Sequence, residues 1–343
     1  MTHRDVSLPV AAQSSLSDLV SLAVAAEDHG YDHAWLPETW GRDAVTTLAL
    51  AAERTDEIGL GTSIVNVYSR SPALLGQTAA TLQEASDGRF RLGVGPSGPA
   101  VIENWHGATF ERPLRRTREV IDVTKAVLSG EPVHYDGDFF DLDGFRLRQG
   151  APESTPPVDA AGMGPKAVEL AGRFADGWHA LMFTPEGLRE RLDDFRRGGK
   201  LGDRDPEQAR VTLSLTCCAL EDGERARDLA RRHVAFYVGG MGTYYRDALA
   251  RQGYEDTAHE IHEAWQADER ERALAAVDDE FLDSLTAAGT PERAREELEK
   301  FAEIDGVDAV AVSFPRGAEF AEVEATISNL EPSSTAGTQE EGL

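Results

Sequence analysis

Few residues in this chain combine chemical reactivity with a spacing that puts them to use. Val158 to Lys166 reads Val-Asp-Ala-Ala-Gly-Met-Gly-Pro-Lys: a strand runs into Gly162, Met163 and Gly164, and Pro165 opens a helix that Lys166 to Phe174 continue. Free backbone amides at that helix start, the helix dipole and the Lys166 ammonium would suit a phosphate; the plainer alternative is a Gly-Pro turn with a surface lysine. Only Lys125, Lys166, Lys200 and Lys300 are lysines, so one at this place carries weight. A second stretch, Ile58 to Pro72, starts as a buried strand and then offers Thr62, Ser63 and Asn66 in quick succession. It reads either as a ligand floor or as an ordinary strand-to-helix connection.

Acid and base groups are scarce among the expected strand ends. Glu38 is the one carboxylate there, flanked by Pro37, Thr39 and Trp40. No Ser/His/Asp constellation and no metal-ligand spacing is visible, since His259 and His262 stand too close for a HExxH pair. A site so poor in catalytic side chains leaves the chemistry to a cofactor. Trp40 and Trp105 are candidates for a substrate pocket, with core packing as the alternative.

The elements that must position these residues alternate. Expected strands are Val6 to Val10, Tyr31 to Leu36, Ile58 to Ser63, Arg89 to Val94, Val158 to Ala161, Gly177 to Met182, Val211 to Leu220 and Ala309 to Ser313, with helices between them. Eight strands in this rhythm predict an α/β fold, a closed (β/α)8 TIM barrel; the dinucleotide fingerprint of a doubly wound sheet is missing. Pro96 to Pro113 reads as a long loop and Gly130 to Phe145 as a hairpin. The excess between the last two strands, residues 222–288, predicts a helical insertion. One domain is expected over residues 1–330, with residues 331–343 a disordered acidic tail. Val238 to Gly242 reads as a helix-ending glycine cluster or, less simply, a lid hinge.

Composition narrows the partners. Asp plus Glu number 61 against 34 Lys plus Arg, a formal net charge of −27. Such a field repels phosphate backbones, which argues against nucleic acid. It suits a salt-rich cytoplasm and resembles the proteome of a halophilic archaeon. No apolar stretch is long enough to cross a bilayer, and the first residues lack a secretory layout, so a soluble cytoplasmic protein is expected. Cys217 and Cys218 are neighbours and read as two buried thiols.

Four blocks in order resemble a known family: Gly61 to Asn66 with Tyr68 to Pro72, Gly88 to Gly95, Arg112 to Leu114, and Ala160 to Lys166 followed by Ala175-Asp176-Gly177. The chain looks like the luciferase-like monooxygenase superfamily, most similar to its coenzyme F420-dependent branch and especially to methylenetetrahydromethanopterin reductases. The resemblance implies a bacterial luciferase-like barrel that binds a deazaflavin, a hydride moving to or from C5, and a homodimer. It further implies a non-prolyl cis peptide at Ser63-Ile64 and a bulge there backing the ring. Thr62, Ser63, Ile64, Asn66 and Gly95 would line that side, and Gly162, Met163, Gly164, Pro165 and Lys166 the phosphate side. Glu38 falls at the family's acidic position and would bond the deazaflavin or the substrate. Departures are Thr39, where many relatives have histidine, and Ser7 and Pro96-Ser97, where the reductases have carboxylates. Four readings follow: an F420-dependent oxidoreductase on a small alcohol, imine or activated alkene; an FMN-dependent monooxygenase; a methylenetetrahydropterin reductase-like enzyme; and a cofactor-binding barrel without turnover.

Overall fold

The computed structural model describes residues 2–9 and 15–332. Its first half alternates strand and helix: β1 (His3–Ser7), α1 (Leu16–Asp28), β2 (His33–Leu36), α2 (Ala44–Ala52), β3 (Gly59–Thr62), β4 (Val65–Asn66), α3 (Pro72–Ala85) and β5 (Phe90–Gly95). A short α4 (Pro99–Asn104), α5 (Pro113–Leu128) and the hairpin β6 (Val133–Asp136) and β7 (Asp141–Phe145) follow. The rhythm resumes with β8 (Val158–Ala161), α6 (Pro165–Phe174), β9 (Gly177–Leu181), α7 (Pro185–Leu201) and β10 (Arg210–Ala219).

Eight strands, β1, β2, β3, β5, β8, β9, β10 and β12 (Ala309–Ser313), pair in parallel around a closed ring, with β9 against β10 and β12 against β1. The expected TIM barrel is therefore present. Its strand side chains alternate between a helix-facing apolar layer, such as Ala34 and Leu36, and an interior rich in charge. Inside, the buried Asp5 accepts from Arg210 Nη2 at 2.8 Å and from Trp35 Nε1 at 2.8 Å, and Arg91 grips Asp159 through Nη2 at 2.7 Å and Nε at 3.0 Å. Glycines make room for the large interior rings: a Cβ on Gly61 would lie 2.3 Å from the Trp35 indole.

The excess before the last strand is helical, as expected, but not wholly. It holds α8 (Gly223–Gly240), α9 (Thr243–Leu249), a π turn (Ala250–Tyr254), α10 (Glu255–Gln266), α11 (Arg270–Ala275) and α12 (Asp279–Asp283). A ninth parallel strand, β11 (Thr286–Gly289), then pairs with the end of β10, and α13 (Pro291–Ala302) leads into β12, with α14 (Phe320–Asn329) closing the described chain. All four residues of β11 are buried, so no alternation marked it. The expected long loop likewise contains α4, and the first strand begins and ends earlier than expected, with Val10 outside the described residues. The expected tail lies outside them too, except Glu331 and Pro332.

Gly239 and Gly240 belong to α8 and pack on Trp265; a Cβ on Gly239 would sit 2.4 Å from it, so close packing explains the pair. His262 packs against α8, its ring 3.3 Å from the Val238 carbonyl, whereas His259 is exposed. Cys217 and Cys218 are free and buried, and burial pushes the Cys218 thiol up to about 12. No helix among the described residues is long and apolar enough to cross a membrane.

Candidate active site at the barrel mouth

The third strand breaks where its polar residues begin. β3 pairs with β5 through Leu60 and Gly61, β4 pairs with it through Val65 and Asn66, and the intervening Ser63-Ile64 peptide is cis. Backbone bonds hold this bulge on its other side, Ser63 N–H donating to the Leu36 carbonyl and Glu38 N–H to the Ile64 carbonyl. Thr62 and Gly93 fill the gap in the ladder: the threonine hydroxyl donates to Gly93 O at 2.8 Å and accepts from Gly93 N–H at 2.9 Å. The Thr62 hydroxyl, expected on the ligand side, is thus fully buried and spent within the sheet.

Asn66 is also inward-bound. Its Oδ1 accepts from Tyr68 and Ser69 N–H and its Nδ2 lies 3.2 Å from His106 Nε2, so it shapes the turn into α3 and steadies the loop before α5. What remains open at the bulge is Ser63 and Ile64, both half-buried, above Gly95. A Cβ on Gly95 would approach the Ile64 side chain to 3.1 Å and Ala161 to 3.3 Å. The lack of a side chain there leaves the Gly95 backbone bare between Ile64 and Ala161.

Across the mouth, β8 ends in Ala161 and the chain turns through Gly162 and Gly164 into α6. Trp178 Nε1 donates to the Gly162 carbonyl at 2.9 Å, and a Cβ on Gly162 would collide with Ala167, which fixes the turn against its helix. Gly164 is the N-cap and makes no side-chain cap; Pro165 has no N–H and Ala167 and Val168 N–H donate to the Gly164 carbonyl, while Lys166 is exposed and Met163 packs on the core. The turn and the helix start fall where the Gly-Met-Gly-Pro-Lys spacing placed them.

Glu38 departs from expectation. Its Oε1 takes Arg70 Nη1 at 2.5 Å, its Oε2 takes Arg70 Nη2 at 2.9 Å and Ala44 N–H at 3.0 Å, and Arg70 reaches on to Asp43 at 2.7 Å. The hydrogen bonds from Arg70 to Glu38 raise the guanidinium further above its ordinary value. A carboxylate held this way positions α2 and the 66–71 turn, with both oxygens taken up by protein donors. Thr39 and Trp40 are exposed beside it, and Trp105, 64% exposed, stands on the neighbouring loop.

Three features of the mouth go beyond the sequence reading, which takes His179 as a packed residue early on its strand. Ser97, just after β5, and Met182, just after β9, both have φ near 58°, a left-handed backbone that non-glycine residues rarely adopt outside constrained sites. Gln252 in the π turn pins the second of these, donating to the Met182 carbonyl and accepting from Thr184 N–H, so the insertion is tied to the mouth. Third, His179 on β9 spans the interior to the bulge: Nδ1 lies 3.4 Å from Ser63 Oγ and Nε2 3.5 Å from Asp159 Oδ2. Burial alone would raise the Asp159 carboxyl, but the Arg91 charge, His179 and their hydrogen bonds hold it well below the usual carboxylate range. No group of three or more potential metal ligands occurs among the described residues. A surface depression of about 590 Å³ beside Gln83, Gly88 and Ser154 sits at the opposite, N-terminal end of β5 and has none of these features.

Comparison with known proteins agrees with this geometry. The model of the luciferase-like monooxygenase family matches residues 1–308. A Mycobacterium tuberculosis protein, named provisionally as a coenzyme F420-dependent oxidoreductase, is 32% identical over 300 residues, covering 81% of this chain and 85% of that one. The 5,10-methylenetetrahydromethanopterin reductase of Archaeoglobus fulgidus is 29% identical over 299 residues, covering 85% and 88%. Among solved structures, the coenzyme F420-dependent tetrahydromethanopterin reductase of Methanopyrus kandleri superposes with a TM-score of 0.83 at 24% identity, over 96% of this chain and 98% of that one. From its barrel, its interrupted third strand and these matches, the chain belongs to the luciferase-like monooxygenase family.

Proposed function

We propose that this chain is a coenzyme F420-dependent oxidoreductase that moves a hydride between the deazaflavin and a small organic substrate such as an alcohol, imine or activated alkene. The observation that carries the reading is what faces what across one mouth: Ile64 over the bare Gly95 backbone on one side, and on the other the start of α6, which has no side-chain cap and carries the exposed Lys166. A flat apolar ring with a phosphate-bearing tail fits both halves. The name of the relative at 32% identity supports the same cofactor.

When bound, the deazaflavin supplies the C5 carbon that gives or takes the hydride. The chain's own part is placement and exclusion of water. Ser63, Ile64 and Gly95 would back the ring, and Gly162, Met163, Gly164, Pro165 and Lys166 would hold the tail. Thr39, Trp40 and Trp105 would border the substrate. Asn66 and Thr62 act beneath the surface by fixing the bulge and the turn after it. Glu38 acts through Arg70, and Thr39, Ser7 and Ser97 bring no carboxylate or imidazole, so substrates whose reduction needs no strong protein acid suit this mouth best.

The test is a binding titration of the purified protein in molar salt with F420 and with FMN, followed by oxygen uptake. Saturable F420 binding without FMN-dependent oxygen consumption supports the reading; FMN-dependent oxygen uptake replaces it with a monooxygenase. Tight F420 binding without hydride exchange on any acceptor leaves a binding barrel.

A further inference from the structure

We propose that His179 is a positioning residue that fixes the Ser63 hydroxyl as a hydrogen-bond acceptor facing the barrel mouth, so that the mouth selects a bound ring that offers an N–H or O–H at this point. The choice of bound ring rests on the reading of the mouth as a cofactor site; the orientation of the hydroxyl does not.

His179 is 5% exposed and is met from three strands and from the bulge after β3. Trp35 of β2 packs edge-on with ring centroids 4.5 Å apart. Gly93 of β5 lies so close that a Cβ would come within 3.0 Å of Nε2. Asp159 of β8 places Oδ2 at 3.5 Å from Nε2, with Arg91 behind it, and Ser63 in the bulge after β3 places Oγ at 3.4 Å from Nδ1. An ionised, fully enclosed carboxylate, 3.5 Å from Nε2, is the nearest charge to the ring. That field favours the proton on Nε2.

With the ring proton on Nε2, Nδ1 carries a lone pair. Ser63 must then donate its only hydrogen inward to Nδ1, and what it presents outward is oxygen lone pairs. Ser63 is half-buried at the end of β3, directly beside the Ile64 side chain that forms the floor. A group meeting it there must donate. The opposite tautomer would reverse the polarity, making the serine a donor and favouring a carbonyl on the bound ring instead.

The test uses the full chain with ¹⁵N-labelled histidine, recorded without cofactor and then by titration. The His179 signal, assigned by its loss in His179→Gln or by its shift in Ser63→Ala should the first variant not fold, is expected to show a protonated Nε2 and a bare Nδ1. It should move in Ser63→Ala and stay near its place in Ser63→Thr. A protonated Nδ1 overturns the proposal whatever the cofactor. In the titration, Ser63→Ala and His179→Gln should each weaken F420 binding about five- to tenfold, the double variant no further, and Ser63→Thr less than about twofold. Unchanged affinity in Ser63→Ala also overturns it. If the wild-type chain binds neither F420 nor FMN, the cofactor reading fails while the tautomer result still decides the orientation of Ser63.

Discussion

Glu38 and Arg70 meet as a two-pronged pair, Oε1 to Nη1 at 2.5 Å and Oε2 to Nη2 at 2.9 Å, with side chains only 10% and 18% exposed. The carboxylate follows β2 and the guanidinium follows β4, so the pair clamps the two chain segments on either side of the Ser63-Ile64 bulge. Truncating either partner leaves the other charge without its mate, and truncating Glu38 also strips Ala44 N–H of its acceptor. Glu38→Ala is expected to lower stability by about 2 kcal/mol in urea unfolding, and Glu38→Gln by about 1 kcal/mol because the amide still caps Ala44. Both should weaken cofactor binding through the bulge without changing the pH profile of turnover. A lost acid limb in Glu38→Gln would instead make Glu38 a proton carrier.

Thr62 and Gly93 give a second expectation. The threonine hydroxyl satisfies both the N–H and the carbonyl of Gly93, where β3 no longer pairs with β5. Thr62→Val keeps the shape and removes both bonds, so about 2 to 4 kcal/mol should be lost in urea unfolding, and Thr62→Ser should recover most of it.

The two mouth glycines should behave differently. A Cβ on Gly93 would stand 2.0 Å from the Thr62 carbonyl, a backbone atom that cannot move aside, so Gly93→Ala should cost at least about 3 kcal/mol. A Cβ on Gly95 meets the Ile64 side chain at 3.1 Å, which can shift. Gly95→Ala should therefore stay folded, with a melting temperature within a few degrees of wild type, and lose cofactor affinity at least tenfold.

His233 supplies a pH expectation. Burial, and then the nearby Arg316 charge, pull its imidazole down to about 3 from an ordinary 6.5, and Nδ1 accepts the Arg316 N–H at 3.0 Å. A histidine depressed in the folded state binds its proton more readily when unfolded. Its contribution is complete above pH 6.5 and is lost as the pH falls toward 3. Unfolding free energy measured across that window should fall with pH in wild type and fall less in His233→Gln.

The order of the barrel strands was readable because most of them are apolar runs closed by glycine or a polar cluster, and Val158–Ala161 and Ala309–Ser313 begin and end where their sequences suggest. β11 was not readable: Thr286 to Gly289 are small residues buried on both faces, with no period to find. At the mouth, the start of α6 was legible from local spacing, since Gly164 and Pro165 act on their own backbone. The charged barrel interior was not, because Asp5 with Arg210, and Arg91 with Asp159, are partners brought together only by closing the ring. For the same reason Thr62 and Glu38 could be placed at the site but not given their true partners, which lie on other strands and turns. His179 gave one signal in retrospect, a histidine of inward parity within an otherwise apolar strand.

The most direct measurement is a fluorescence titration of the purified chain with F420 in molar salt, with Gly95→Ala as the control for the floor. Saturable binding by wild type, weakened at least tenfold in the folded Gly95→Ala variant, is the expected result. Absence of F420 binding by the folded wild-type chain, or equal affinity in the two proteins, would contradict the placement of the cofactor at the Ile64 and Gly95 floor.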